Sequence, residues 1–144
     1  MGKFKVGDVV TGNYRNTYMA TGKDSLCVVV NVNHETGNMD VVVLHNNRDM
    51  FGRKYCVETE KFKFYKEPLT EEQEKCVEIL KYVSGFNVDI IWNGQLRYNY
   101  PIFKFLRDVN CYSILGFNKK DDVKKYIYSL AKECNFNIYE GAKQ

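Results

Sequence analysis

The sequence predicts an α+β protein in two parts, residues 1–67 and residues 68–144. Before Tyr65 the chain holds five short β-branched or alternating apolar runs separated by turn residues, a pattern typical of strands. After Pro68, apolar residues recur at helical spacing in two separate segments. Between those segments, Asn93-Gly94 joins two strand-like runs, as a tight hairpin turn does. The first part is therefore predicted to be a small β-barrel and the second a small α/β unit.

The predicted strands of the first part are short and are not interrupted by any helical pattern. The turn-forming segment His34–Asn38 separates the second strand from the third. Closure of such strands into a barrel would remove the exposed sheet edges that they otherwise carry. The five predicted strands are Phe4–Val10, Leu26–Val32, Met39–Leu44, Tyr55–Val57 and Phe62–Tyr65.

Several of these segments together resemble the SH3-like barrels of small phage and bacterial proteins. The resemblance covers less than half of the chain. It implies an SH3-like barrel fold, but it assigns no function, because barrels of this kind bind RNA, DNA, peptides or other proteins. The residues that carry it are Lys5–Val10, Gly12-Asn13, Tyr18, Thr21, Tyr55–Val57 and Phe62.

The second part is predicted to have the element order αββ(α)βαβ. Thr70 and Gln73 have the spacing of a capping box, which opens a helix over Glu71–Val83. The hairpin strands are Val88–Trp92 and Gln95–Tyr100. Pro101 is predicted to open a short helix, with an extended segment over Phe103–Leu106 as the alternative. The remaining elements are a strand over Cys111–Leu115, a helix over Lys119–Cys134 capped by Asn118, and a strand over Asn137–Tyr139.

The residues that could carry chemistry do not form a recognisable active site in the sequence. Five widely spaced cysteines in apolar surroundings are typical of free thiols in a reducing compartment. A Cys–His nucleophile would need His34 or His45 to approach Cys27 or Cys56 in space. No paired Cys or His spacing indicates zinc, and no glycine-rich loop indicates nucleotide binding. We therefore predict no enzyme activity, no metal and no cofactor.

Charge gives little indication of the partner. The net charge is +3, with ten basic and eight acidic residues up to residue 67 and eleven and ten after it. A dedicated nucleic-acid binder usually has a stronger basic excess, because contacts to phosphates supply much of its affinity. The chain also lacks a membrane-length apolar run and a signal-peptide core, so it is expected in the cytoplasm and away from membranes.

Three surface segments are candidates for binding a partner. Two are loops that mix aromatic, guanidinium and amide groups, Asn13–Tyr18 and Asn46–Lys54, which are residue types that stack on bases or anchor protein interfaces. The third is the outer side of the last helix, where Asp121 and Asp122 interrupt a lysine patch. For each segment, the structural alternative is an ordinary solvated surface. The candidate partner-binding residues are Tyr14, Arg15, Tyr18, Arg48, Phe51, Arg53, Lys54, Lys119, Lys120 and Lys124.

The function predicted from these observations is surface recognition without catalysis. Sixteen lysines against five arginines, with fourteen asparagines and eleven tyrosines, indicate AT-rich codons and hence a low-GC bacterium or its phage. In size and type the chain resembles phage anti-CRISPR proteins, which implies inhibition of a host nuclease, either a protein or a ribonucleoprotein. The alternative is an accessory module that binds RNA or DNA directly through the same loops. Both place the protein in the cytoplasm of a bacterial host cell.

Overall fold

A computed structural model describes residues 3–12, 25–45, 51–111 and 113–140. Over these residues the chain is a mixed α+β protein with eight strands in two antiparallel sheets and three α-helices. The predicted α+β class is confirmed. None of the helices in the described ranges has the length and apolar character needed to cross a membrane.

The first sheet contains five strands before Pro68, the number predicted, in the order β4-β3-β2-β1-β5. The first of them begins at Val9, so the predicted strand over Phe4–Val10 is wrong before that residue. The chain runs through β1 to β4 as neighbours and then returns to place β5 on the far side of β1. A 3₁₀ turn, Thr59–Lys61, connects the last two strands. The strands are β1 (Val9–Gly12), β2 (Leu26–Asn33), β3 (Asn38–His45), β4 (Lys54–Glu58) and β5 (Phe62–Phe64).

The short connection between β4 and β5, the two edge strands, requires the first sheet to curl strongly. The edge strands of a flat five-stranded sheet would lie about 19 Å apart, at roughly 4.8 Å per strand. Four residue steps lead from Glu58 to Phe62, and they span at most about 14 Å when fully extended. A register irregularity in β2 between Val29 and Asn31 adds a bend of the kind that bulges introduce. The two edges of the sheet are therefore drawn towards each other.

Side chains from all five strands meet on the inner side of the curled sheet. Val10 of β1 and Phe62 of β5 belong to this cluster, and so does Val57 of β4. Phe4, which precedes the first strand, is only 2% exposed and completes it. The remaining members come from β2 and β3: Cys27, Val29, Met39, Val41 and Val43.

The outer side of β2 and β3 is buried as well, against the second half of the chain. Val28 and Val42, which face away from the inner cluster, pack with Leu80 of α1 (Glu71–Val83) in a second, larger core. Burial on both faces explains why Leu26–Val30 and Val41–Leu44 are continuous apolar runs rather than alternating ones. The larger core draws on residues from both sides of residue 67. The division of the chain at that position stays a prediction.

The second sheet has the order β7-β6-β8 and is covered by helices. Asn93 and Gly94 both adopt positive φ, 53° and 78°, which confirms the predicted hairpin. The capping box is also present: Thr70 Oγ1 accepts a hydrogen bond from the Gln73 backbone N–H at 3.1 Å, and the Gln73 side chain accepts the return bond. The elements are β6 (Asn87–Trp92), β7 (Gln95–Pro101), α2 (Ile102–Asp108), α3 (Lys120–Cys134) and β8 (Asn137–Tyr139).

The short helix after Pro101 is confirmed, whereas two details around α3 are wrong. In the predicted strand Cys111–Leu115, the described residue Cys111 is not in a strand, and Ser113–Leu115 belong to a 3₁₀ turn over Ser113–Gly116. The consecutive residues Ile114 and Leu115 are both buried in the same core, whereas a strand would send them to opposite faces. The N-cap of α3 is Lys119, without a side-chain capping bond, rather than Asn118. The observed order of the second half is therefore αββααβ.

We expect Gly12→Ala to destabilise the protein by about 1–3 kcal/mol, the usual cost of overpacking. Gly12 pairs with Phe62 across β1 and β5, and a Cβ at position 12 would clash with the Phe62 ring. Gly116→Ala is the matched control, because a Cβ at Gly116 meets nothing within 4 Å. Urea unfolding of both variants measures the difference. Equal stability of the two variants would contradict the observed packing of β5 on β1.

Candidate partner-binding site

A groove of about 570 Å³ lies where the end of β3 meets α1 and the segment after the second 3₁₀ turn. Its floor is apolar, with Leu44, Ile79 and Leu115 all buried. Polar residues from the start of α1 form part of its rim. The other lining residues are His45, Phe51, Thr70, Glu72, Gln73, Lys75, Cys76, Gly116, Phe117 and Asn118.

Phe51 is held at this groove by the backbone of the turn that leads into β4. The Gly52 N–H donates to the Val43 carbonyl at 2.8 Å, and the Val43 N–H donates to the Arg53 carbonyl at 2.9 Å. Gly52 has a φ of +85°, and a Cβ at this position would lie 3.2 Å from Leu115, so glycine suits the turn on both counts. The Phe51 side chain is left 51% exposed. A large apolar ring is thus presented to solvent from a fixed position.

The other predicted residues of this loop differ in accessibility. Arg53 is exposed beside Phe51. Lys54 belongs to β4, its side chain is only 8% exposed, and its ammonium lies 3.6 Å from the Asp40 carboxylate. The Lys54 ammonium is therefore engaged in an ion pair within the sheet. The predicted residues Tyr14, Arg15, Tyr18 and Arg48 lie outside the described residues.

The predicted lysine patch begins beside the same groove. Asn118 lines the groove, and the exposed Lys119 and Lys120 follow it directly. Lys120 lies 4.0 Å from Glu78 of α1, a distance at which an exposed pair is weak. Phe51 from one predicted surface and Asn118, the residue before the start of another, both line the groove, and Arg53, Lys119 and Lys120 adjoin them in the chain. We call Phe51, Arg53, Lys119 and Lys120 the groove face.

Lys124 is engaged elsewhere, in a cluster around Glu140. The Glu140 carboxylate lies 3.0 Å from the Lys124 ammonium and accepts hydrogen bonds from the hydroxyls of Tyr82 and Tyr128. The hydrogen bond and the negative charge of Glu140 raise the pKa of Lys124. Burial and then the Glu140 charge raise the pKa of Tyr82. The cluster ties Glu140, the residue after β8, to α1 and α3, and it engages the ammonium group of Lys124.

The groove also brings a histidine and a cysteine together, although not the pair considered from the sequence. His45 and Cys76 both line it, together with Glu72. Burial and, secondarily, the charge of Glu72 raise the pKa of the Cys76 thiol, so this thiol stays protonated at neutral pH. Burial likewise raises the pKa of Cys27 to about 12, and burial followed by Asp40 raises that of Cys56. Within the described ranges, no three His, Cys, Asp or Glu side chains converge as metal ligands.

Comparison of the chain with protein-family models, with curated proteins and with solved structures found no significant match.

We expect the free energy of unfolding to fall above pH 9 through Cys27. Its pKa in the folded protein, about 12, exceeds the ordinary thiol value of 9.0, so the stabilisation is fully present below pH 9 and is lost as pH rises towards 12. The slope from this thiol is about 1.4 kcal/mol per pH unit. Urea unfolding between pH 9 and pH 12 measures this dependence of the free energy of unfolding on pH, with Cys27→Ala as the comparison.

Cys27→Ala should lower stability overall and give a shallower dependence on pH. Lysines and tyrosines titrate in both proteins, so only the difference between the two slopes reports on Cys27. Parallel slopes would show that Cys27 is not buried as a neutral thiol.

Proposed function

We propose that this chain is a non-enzymatic binding protein that acts by covering a surface of a macromolecular partner with its groove face. The observation that carries the proposal is the half-exposed Phe51 beside an apolar groove, flanked by Arg53 and by the lysines that open α3. An apolar centre with a polar rim is the usual anatomy of a protein interface. Aromatic residues and arginine are also the residue types that most often dominate binding energy.

The state of the thiols supports binding rather than covalent catalysis. A nucleophilic cysteine is activated by a lowered pKa, which an adjacent base or a positive environment provides. Cys76, the thiol that shares the groove with His45, has a raised pKa beside the negative Glu72. A neutral, mostly buried thiol contributes apolar surface to the groove floor instead.

The proposed partner is a nuclease of bacterial defence, as a protein or a ribonucleoprotein, and the chain would be a phage or mobile-element inhibitor of the anti-CRISPR type. Its small size and lysine-, asparagine- and tyrosine-rich composition support this origin. Arg53, Lys119 and Lys120 suit a partner surface that carries carboxylates or phosphates. Inhibition would follow from blocking the guide or DNA channel, or from trapping an inactive conformation, in the cytoplasm of the bacterial host.

The same proposal includes an SH3-like barrel for the first half. The curled five-stranded sheet and the inner cluster to which every strand contributes support it. In this interpretation the barrel presents Phe51 from the turn between its third and fourth strands.

We expect the immobilised chain to recover a ribonucleoprotein nuclease from a lysate of its bacterial host, identified by mass spectrometry. Phe51→Ala combined with Arg53→Glu should weaken that binding at least ten-fold, because loss of an interface hot spot costs about 2 kcal/mol or more. Leu96→Ala combined with Arg97→Glu is the matched control. It also removes one exposed apolar side chain and reverses one exposed arginine, but on β7.

Titration of the purified chain into a cleavage assay of the recovered nuclease completes the test. Inhibition should reach its limit at a stoichiometric amount of chain, and the Leu96/Arg97 variant should inhibit normally. Inhibition at far lower amounts would indicate turnover and contradict a binding mechanism. Equal weakening by both double variants would remove the groove face from the proposal. Binding to naked nucleic acid that the groove variant abolishes would favour the alternative function, an accessory nucleic-acid module.

A further inference from the structure

A second surface of distinct character lies along the outer edge of β5. Within the described residues β5 pairs with β1 alone, so its other side is an edge of the sheet. The Lys3 ammonium crosses this edge and donates to the Phe62 carbonyl at 3.4 Å. A cleft of about 630 Å³ opens here, within the roughly 300–1,000 Å³ typical of ligand clefts. It is lined by Lys3, Thr11, Lys63, Phe64, Tyr65, Lys66 and Glu67, which we call the β5 cleft.

The charge of the β5 cleft is strongly one-sided compared with the whole chain. Three lysines line it against the single carboxylate of Glu67. The segment Lys61-Phe62-Lys63-Phe64-Tyr65-Lys66 contains three cations interspersed with three aromatic rings. The net charge of the whole chain is only +3, but the β5 cleft is a local site of concentrated positive charge. Lys3 also retains donor capacity, because an ammonium group has three N–H bonds and only one is used by Phe62.

Phe64 supplies a fixed aromatic surface in the middle of these cations. Phe64 is 40% exposed, although Phe62, two residues earlier on the same strand, is buried. The Phe4 ring, which is almost fully buried, packs against Phe64 edge-on with a centroid distance of 4.9 Å. The Lys3 ammonium in turn lies 5.0 Å from the centroid of the Phe4 ring. The position of Phe64 is thus set by its contact with Phe4 of the inner cluster of the first sheet, while part of Phe64 stays exposed to solvent.

We propose that the β5 cleft binds single-stranded nucleic acid, with a base stacked on Phe64 and neighbouring phosphates held by Lys3, Lys63 and Lys66. A positive groove that contains a rigid aromatic ring is the arrangement that single-strand binders use. Stacking is tolerant of base identity, since every base has an aromatic face. The cleft therefore recognises a flexible strand rather than a particular sequence.

The same edge is poorly suited to the other occupant that a sheet edge attracts, an added peptide strand. β5 has only three residues, and Pro68 follows it closely, so few backbone groups are available to pair. Lysines on an edge strand also discourage strand addition. Phosphates, in contrast, are attracted by those lysines. The observations therefore favour nucleic acid over a polypeptide.

Fluorescence anisotropy of the full chain with a short labelled oligothymidylate tests the proposal. Three lysine–phosphate contacts predict a slope of about −2 for log affinity against log salt, at roughly −0.7 per contact. This corresponds to about a hundred-fold loss of affinity for a ten-fold rise in salt. Phe64→Ala should weaken binding at least five-fold, because one stacked base contributes about 1–3 kcal/mol.

The charge variant Lys63→Glu with Lys66→Glu should reduce oligonucleotide affinity at least ten-fold. Both lysines are exposed, so the variant keeps its circular dichroism spectrum and its unfolding midpoint. The matched control is Lys125→Glu with Lys132→Glu, the same charge change on two exposed positions of α3 that belong neither to the groove face nor to the β5 cleft. Absence of oligonucleotide binding at low salt overturns the proposal, as does equal weakening by the two charge variants.

The result of the oligonucleotide-binding test is independent of the result of the nuclease-binding test of the groove face. Phe51→Ala with Arg53→Glu should bind the oligonucleotide like the unmodified chain, because neither residue lines the β5 cleft. Loss of nuclease binding in that variant together with retained oligonucleotide binding supports both proposals. Oligonucleotide binding that depends on Phe51 and Arg53 instead of Phe64 overturns the β5 cleft as the site.

Discussion

The structure depends on the burial of one hairpin, β2–β3, from both sides. Cys27, Val29 and Val41 point into the curled sheet, whereas Val28 and Val42 point into the core shared with α1. All five are at most 2% exposed. At about 25 cal/mol per Å² of buried apolar surface, each fully buried valine side chain contributes roughly 1.5–3 kcal/mol. A polar residue in either strand would therefore weaken one of the two cores directly.

Both candidate surfaces are positioned by this hairpin or by the sheet built around it. Phe51 reaches the groove because Gly52 and Arg53 pair with Val43 at the end of β3. The groove floor joins Leu44 of β3 to Ile79 of α1 and to Leu115. The β5 cleft depends on the return of the chain to β1, which buries Phe62 and leaves Phe64 at the edge. Binding residues on such rigid elements lose little conformational entropy when a partner binds.

Local chemistry made several elements predictable from the sequence. Thr70 and Gln73 cap α1, and Asn93-Gly94 turns the second hairpin, because short-range hydrogen bonds and backbone preferences decide both structures. The Cys111–Leu115 prediction failed because its apolar pattern fits a 3₁₀ turn equally well when adjacent residues are buried together. The approach of Phe51 to Asn118 joins residues far apart in the chain, so no local signal reveals it. The mixture of lysines and aromatic residues over Lys61–Lys66 is evident in the sequence, but its position on a sheet edge is not.

Native-state hydrogen exchange tests most directly the claim that one hairpin supports both cores. Amides of β2 and β3 should be among the slowest to exchange, and their opening free energy should equal that of α1 and match the global free energy of unfolding. This equality is expected because opening the hairpin exposes both clusters at once. The contrary result would be protection of α1 and α3 that persists after the β2 and β3 amides have exchanged. It would show that the second half holds its core without the hairpin.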